Sequence, residues 1–413
     1  MAGNVVWHRM AAAAFVGMLG SLVATVLAPP SSAGAAAKAP GAAKVAVGGL
    51  LITLTDPLKN GADGFGITVA VSGATLLVGT DDEPDSPHPG GAAYIYQRGP
   101  SGWETMPAVS LSDPGDSGGD AYSDAMAVSG STVVIGANGP NAGGRAYIYT
   151  KGPSGWPTTP TVTLTDPLAT NGDAFGDNLA LSGHTLVVGA EGNGGAVYVY
   201  TKGRSGWPTT PTVTIDNPGP STEQFGDVAL SGSTLVVGAV GAGTSVNGEA
   251  YIYRKSASGW PTTPTVTLTD PGPDLSDLFG GTVAVSGPDV LVGAWGTSSR
   301  AGVVYIYRKG TSGWSSTPSV TLDDPAATAQ DEFGTDLAAS GTTLVVGTAG
   351  PDAGGDTDVF AKGTSGRVTT PTAAVANPAG IQYGYGSIPA LSGSSVVVGL
   401  SGEGGGLVDI YQA

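Results

Sequence analysis

From Leu50 onward the chain is a succession of short apolar runs broken by stretches of Gly, Pro, Ser, Thr and Asp. Two kinds of run recur. Continuous aliphatic runs rich in valine, such as Leu186-Val187-Val188, predict strands buried on both faces, within a longer element at 185–190. Runs such as Ala196-Val197-Tyr198-Val199-Tyr200 alternate tyrosine with valine, and Thr212-Val213-Thr214-Ile215 alternates threonine with aliphatic residues. Alternation of period two puts unlike side chains on opposite faces of a strand.

These runs repeat in a fixed order. An aromatic and a small residue come first, at Phe65-Gly66, Tyr122-Ser123, Phe175-Gly176, Phe225-Gly226, Phe279-Gly280, Phe333-Gly334 and Tyr385-Gly386. A Ser-Gly step follows, at Ser72, Ser129, Ser182, Ser231, Ser286, Ser340 and Ser392. Seven units of this size each hold four strands, and self-similarity at such a period is the signature of a radial repeat. In the unit at 175–216 the expected strands are 175–181, 185–190, 196–200 and 212–215, with Ser182-Gly183 as a tight hairpin between the first two.

The two ends complete one another. Leu407-Val408-Asp409-Ile410-Tyr411 matches a third strand, after which the sequence holds no fourth. Leu51-Ile52-Thr53-Leu54-Thr55-Asp56-Pro57 matches the fourth strands Thr163–Pro167 and Thr267–Pro271 but has no unit before it. The fold expected is therefore all-β: a seven-bladed β-propeller of four-stranded antiparallel blades, closed by an N-terminal outer strand that completes the last blade. Such closure removes exposed sheet edges. An open array would need polar caps, and none is visible.

A tryptophan recurs in register as Trp103, Trp156, Trp207, Trp260 and Trp314, with Arg367 in the sixth unit. Together with the anchors Phe65, Phe175, Phe225, Phe279 and Phe333, these read as structural repeat positions, large rings filling the wedge between neighbouring blades. A set of ligand-stacking platforms is the alternative that the sequence leaves open.

Composition supports many strands and turns. Among 413 residues there are 69 Gly and 30 Pro, both unfavourable in helices. Ahead of the repeats, His8-Arg9, the apolar run 10–28 and the Ala33/Ala35 pair form a signal-peptide pattern, which assigns 1–35 to a signal peptide, 36–49 to a flexible leader and 50–413 to the propeller. Secretion to the extracellular space is the expectation, with no membrane span left after cleavage; an uncleaved membrane anchor is the alternative, since the run is long enough to span a bilayer. There is no cysteine, which removes disulfides, thiolate metal sites and cysteine nucleophiles.

Net charge is -17, which disfavours nucleic acid as a partner. In a four-stranded antiparallel blade the outer-to-inner and second-to-third connections leave on one face of the disc, and the two hairpins on the other. Ten of the sixteen basic residues fall in the third-to-outer hairpins, among them Arg98, Lys151, Lys202, Lys255 and Lys309. Most carboxylates fall on the opposite face. A carboxylate stands two residues before the aromatic in six units, at Asp63, Asp120, Asp173, Glu223, Asp277 and Asp331, and is read as accepting backbone N–H groups in its own loop. The run Asp81-Asp82-Glu83-Pro84-Asp85 is unique to one blade, so Asp81, Asp82, Glu83 and Asp85, with Asp352 and Asp356, are the candidate ligand-binding residues. No metal site and no cofactor are expected, weak calcium binding on the acidic face being the open alternative.

Catalysis finds little support. His88 and His184 are isolated in different blades, and nucleophile elbows, zinc-protease and phosphate-loop signatures are absent. An acidic active site of the glycosidase kind stays open, because the separation of two carboxylates is invisible in sequence.

Phe175-Gly176, with Val188-Gly189-Ala190, Val237-Gly238-Ala239 and Val292-Gly293-Ala294, resembles the FG-GAP repeats of the integrin α-subunit propeller, in their short bacterial form. The resemblance runs over about residues 50 to 412. It implies the propeller fold and an adhesion, assembly or other extracellular role. It does not carry over the family's calcium loops, since turns such as Ser72-Gly73-Ala74 and Ser231-Gly232-Ser233 lack the Asp-rich ligand set, and Ser286-Gly287-Pro288-Asp289 offers one carboxylate. The function expected is a monomeric binding or adhesion propeller recognising an extracellular protein or glycan, a basic partner being one option. A structural matrix protein and a carboxylate-dependent glycan-processing enzyme are the alternatives.

Overall fold

The computed structural model describes residues 48–412 except 59–63, 81–89, 116–120, 140–142, 169–171, 221–222, 242–247, 273–276, 297–300, 326–331, 350–355, 364–365, 368, 377–387 and 402–405. The expected signal peptide and most of the expected leader lie outside the described residues. The first strand begins at Leu50.

Seven antiparallel sheets form a ring. Their inner strands are Thr68–Ser72, Tyr122–Ser129, Leu179–Ser182, Glu223–Ser231, Thr282–Ser286, Asp336–Ser340 and Ile388–Ser392, which define blades 1 to 7. Each inner strand neighbours the next around the ring, and that of blade 7 lies against that of blade 1. In every blade the inner, second, third and outer strands pair in that order, with short two-residue extensions at the third strands of blades 1, 5 and 6.

Blade 7 takes its outer strand from the other end of the chain. Leu50–Thr55 pairs antiparallel with Leu407–Gln412, in the register Ile52 with Ile410, Thr53 with Asp409 and Leu54 with Val408, and the Thr53 hydroxyl donates to the Asp409 carboxylate over 2.5 Å. Leu54 is fully buried there.

Strand ends differ slightly from expectation in blade 3. The inner strand starts at Leu179 rather than at Phe175, because Ala174 and Gly176 sit at φ of 53° and 96° and interrupt an extended backbone. Phe175 instead bridges in parallel to Gly144 of blade 2. The outer strand is Val213–Asp216.

The core is divided among the seams between blades. Seven apolar clusters each draw on two neighbouring blades; one joins Val134, Ala146 and Ile148 of blade 2 to Phe175, Val188 and Tyr198 of blade 3. Another joins Leu54, Val397, Val408 and Ile410 of blade 7 to Phe65, Val78 and Tyr94 of blade 1. Each of the six described anchor rings meets an aromatic ring of its own third strand edge-on or tilted, as Phe175 does Tyr198 at 5.5 Å between centroids.

Two glycine positions set how closely blades approach. A Cβ on Gly189, in the second strand of blade 3, would overlap the carbonyl oxygen of Gly226 at the start of blade 4. The same holds between Gly136 and Gly176, Gly238 and Gly280, Gly293 and Gly334, and Gly399 and Gly66. The Phe-Gly step of one blade and the Val-Gly-Ala step of the blade before it are therefore two halves of one contact. In blade 2 Ser123 replaces the first glycine at φ 83°, and its hydroxyl donates to Thr80 O over 2.9 Å.

Candidate functional site

The hairpin face is uniform. Two residues join inner and second strands in all seven blades, and the glycine of each Ser-Gly step has φ between 57° and 60°. Nothing lies near a Cβ built there, so the backbone angle alone requires glycine. The serines tie blades together: Gly73 N–H donates to Ser392 Oγ at 3.0 Å, Gly183 to Ser129 at 3.1 Å, Gly232 to Ser182 at 3.1 Å and Gly393 to Ser340 at 3.2 Å.

Trp103, Trp156, Trp207, Trp260 and Trp314 lie at the base of the third-to-outer hairpins on this face, each 7–8% exposed. Each belongs to the apolar cluster between its own blade and the preceding one. Ammonium groups cover four of the rings, Lys151 over Trp156, Lys202 over Trp207 and Lys255 over Trp260 at 5.6 Å, and Lys309 over Trp314 at 4.7 Å. All five rings are buried, as a wedge-filling role requires, and four of them lie beneath an ammonium group.

One hairpin carries a buried charge. Asp289 opens the second strand of blade 5, where other blades have Thr75, Thr132, Thr185, Thr234, Thr343 and Ser395. Arg308 grips it with two hydrogen bonds, 2.6 Å from Nε and 2.8 Å from an Nη, and this raises the Arg308 pKa.

The opposite face is variable. Its second-to-third connection spans 80–91 in blade 1 but only 191–195 in blade 3 and 401–406 in blade 7. Of the candidate ligand-binding residues, Asp81, Asp82, Glu83, Asp85 and Asp352 lie outside the described residues. The strands flanking them belong to blades 1 and 6, with blade 7 between. Asp356 starts the third strand of blade 6, half-buried, and its backbone is held by Thr348, whose hydroxyl accepts its N–H at 2.6 Å.

Many carboxylates of this face serve the loops themselves. In four of the Asp-Pro steps after an outer strand the aspartate caps its own turn: Asp56 accepts Leu58 N–H at 2.7 Å, Asp113 that of Gly115 at 2.8 Å, Asp166 that of Leu168 at 2.9 Å and Asp270 that of Gly272 at 2.7 Å. Asn217 does the same for Gly219 at 2.9 Å. Of the carboxylates two before the aromatic, Asp277 accepts Phe279 N–H at 3.2 Å within its loop, whereas Asp173 takes the Asn193 side-chain amide from a different loop. Burial, then Asp166, Asp173 and Asp216, push the Tyr198 hydroxyl up to about 12.

Sequence reasoning missed the carboxylates just after the Phe-Gly step. Asp177 accepts the Asn138 amide of blade 2 at 2.5 Å, and Asp227 accepts Val283 N–H of blade 5 at 2.6 Å, so both bind one blade to another. Their signal was available, a recurring acid immediately after the repeat's opening pair. Trp295, out of register with the other tryptophans, is buried on the variable face against Val240 and Leu278.

His184 is an exposed turn residue whose carbonyl accepts Lys202 N–H at 2.8 Å. Among the described residues no three of His, Cys, Asp and Glu gather in a way that could hold a metal ion, and no helix is long and apolar enough to cross a membrane.

The family model of the FG-GAP repeat matches residues 159–200, from the end of blade 2 through the third strand of blade 3. No curated protein matches the chain.

Proposed function

From the premise that this chain is an FG-GAP β-propeller, a fold compatible with binding or adhesion, we propose that it is a secreted, monomeric, non-catalytic protein that recognises an extracellular protein or glycan through its variable face. FG-GAP repeats are typical of extracellular proteins, and the signal-peptide pattern of 1–35 supports export.

One observation carries the reading: connection length is constant on the hairpin face and variable on the other. A rigid scaffold with variation confined to one set of loops is how recognition is built on repeat folds. Since the Asp-Pro carboxylates cap their own turns, partner contact falls to the acids that no repeat position explains, Asp81, Asp82, Glu83 and Asp85 in the longest second-to-third connection, with Asp352 and Asp356 in blade 6.

The test is a glycan and protein array probed with the whole protein, with and without calcium, beside a variant whose 80–91 connection is replaced by the residues of 191–195. Saturable binding lost in the variant is expected. No saturable binding, or binding that survives the exchange, overturns the reading.

A further inference from the structure

The rim of the hairpin face carries a second repeated chemistry. After the tryptophan position, blades 2 to 6 read Pro157-Thr158-Thr159-Pro160-Thr161, Pro208-Thr209-Thr210-Pro211-Thr212, Pro261-Thr262-Thr263-Pro264-Thr265, Ser315-Ser316-Thr317-Pro318-Ser319 and Val368-Thr369-Thr370-Pro371-Thr372. Three hydroxyls per blade stand in register, and they divide into two kinds.

The hydroxyl after the proline is structural. Thr161 donates to Ile148 O at 2.9 Å and accepts Thr150 N–H at 2.9 Å. Thr212 accepts Thr201 N–H at 3.0 Å, Thr265 that of Arg254 at 3.1 Å and Ser319 that of Arg308 at 3.1 Å, while Thr372 donates to Val359 O at 3.0 Å.

The two hydroxyls before the proline are exposed in all five blades, and among the described residues no hydrogen bond occupies them. Nor does the fold demand the second of them. At the place of Thr159 blade 1 carries Met106, 67% exposed, in the same hairpin and followed by the same proline. A solvent-facing hydroxyl without a structural task, repeated in five blades, between two prolines in blades 2 to 4 and before one in blades 5 and 6, has the composition of an O-glycan acceptor.

We propose that Thr158, Thr159 and their counterparts in blades 3 to 6 are acceptors for O-linked glycosylation. In the step, the threonine or serine oxygen attacks the anomeric carbon of a sugar activated as a glycosyl phosphate, carried on a nucleotide or a lipid. The new C–O bond forms as the anomeric bond to the phosphate oxygen breaks. The phosphate leaves with the electron pair, and the hydroxyl proton passes to a base of the transferring enzyme. Proline on one or both sides restricts the acceptor backbone to extended conformations, which keeps the hydroxyl reachable. Sugars here would cover the Lys-Trp face and leave the variable face open.

The test uses the whole protein isolated from the medium and cells of its own producing organism, by intact mass and fragmentation that preserves side-chain modifications. Expected are whole-sugar mass increments on the peptides holding these pairs. A variant with Thr209→Ala and Thr210→Ala is expected to lose the increments of blade 3 alone, with unchanged Tm. An unmodified mass, sugars confined to other residues, increments that persist in the variant, or a phosphate increment on the hydroxyl before proline would each overturn the proposal.

Discussion

The hydroxyl of Tyr122 lies 2.9 Å from that of Tyr149, both buried in blade 2. Blades 1, 3, 4 and 5 have phenylalanine at the anchor position, and there the corresponding hydroxyls of Tyr96, Tyr200, Tyr253 and Tyr307 are buried with no hydrogen-bond partner among the described residues. Phe175→Tyr is expected to give Tyr200 a partner and raise stability by about 1 kcal/mol. Tyr122→Phe, which orphans Tyr149, is expected to cost about 1–3 kcal/mol. Denaturant unfolding of both variants checks this; equal and small effects of the two would sink the pairing argument.

Alkaline pH is expected to unfold the protein through its tyrosines. Burial is the main cause that pushes Tyr149, Tyr198 and Tyr411 up to about 12, and it raises Tyr96, Tyr122, Tyr200, Tyr253 and Tyr307 as well. Above the ordinary tyrosine value of about 10 the unfolded chain releases protons that the folded chain keeps. The stabilisation is therefore whole below pH 10 and falls as pH rises towards 12, by about 1.4 kcal/mol per pH unit for each such group. Tyrosinate absorbance and near-ultraviolet circular dichroism should change together in one steep transition. Tyrosinate forming near pH 10 with the fold intact would contradict the burial.

Alanine separates the two glycine roles. Gly189→Ala forces a methyl into the Gly226 carbonyl of the next blade and is expected to cost about 3 kcal/mol or more. Gly183→Ala meets no atom and carries only the left-handed backbone, about 1–2 kcal/mol. Thermal unfolding that ranks them the other way would show that blade spacing yields more easily than the turn.

Removing the Asp289 carboxylate leaves Arg308 without its bidentate partner. With the guanidinium side chain 33% exposed, solvent compensates in part, and Asp289→Ala is expected to cost about 1–3 kcal/mol. Asp289→Thr restores the residue found at this place in five other blades and is expected to cost less. A larger loss for threonine than for alanine would count against this account.

The ring was legible because its geometry repeats. Seven Ser-Gly turns, one tyrosine-bearing third strand after another and an unmatched strand at each end leave one closed arrangement. What stayed hidden was contact between repeats. That Gly189 faces Gly226, or that Asp177 holds Asn138, depends on which atoms of two blades meet, and a one-dimensional period carries no such distance. The recurring acid before the aromatic reads in sequence as accepting N–H groups of its own loop, which Asp277 does, whereas Asp173 takes the Asn193 amide of another loop and Asp63, Asp120 and Asp331 lie outside the described residues; the Asp-Pro aspartate, as at Asp166, performs that task in several blades, and recurrence alone does not tell the two apart. Candidate residues in 81–85 and at 352 came from irregularity rather than repetition, and they fall where the structure describes nothing.

Among the described residues Leu50–Thr55 is the strand made earliest, and it pairs with the one made latest. A chain emerging from the ribosome or an export channel must carry this strand single, Leu54 uncovered, while all six complete blades form behind it. The final latch sets a late, long-range step in folding. Any factor that shields or captures that free strand would decide whether rings close singly or exchange their ends between neighbours.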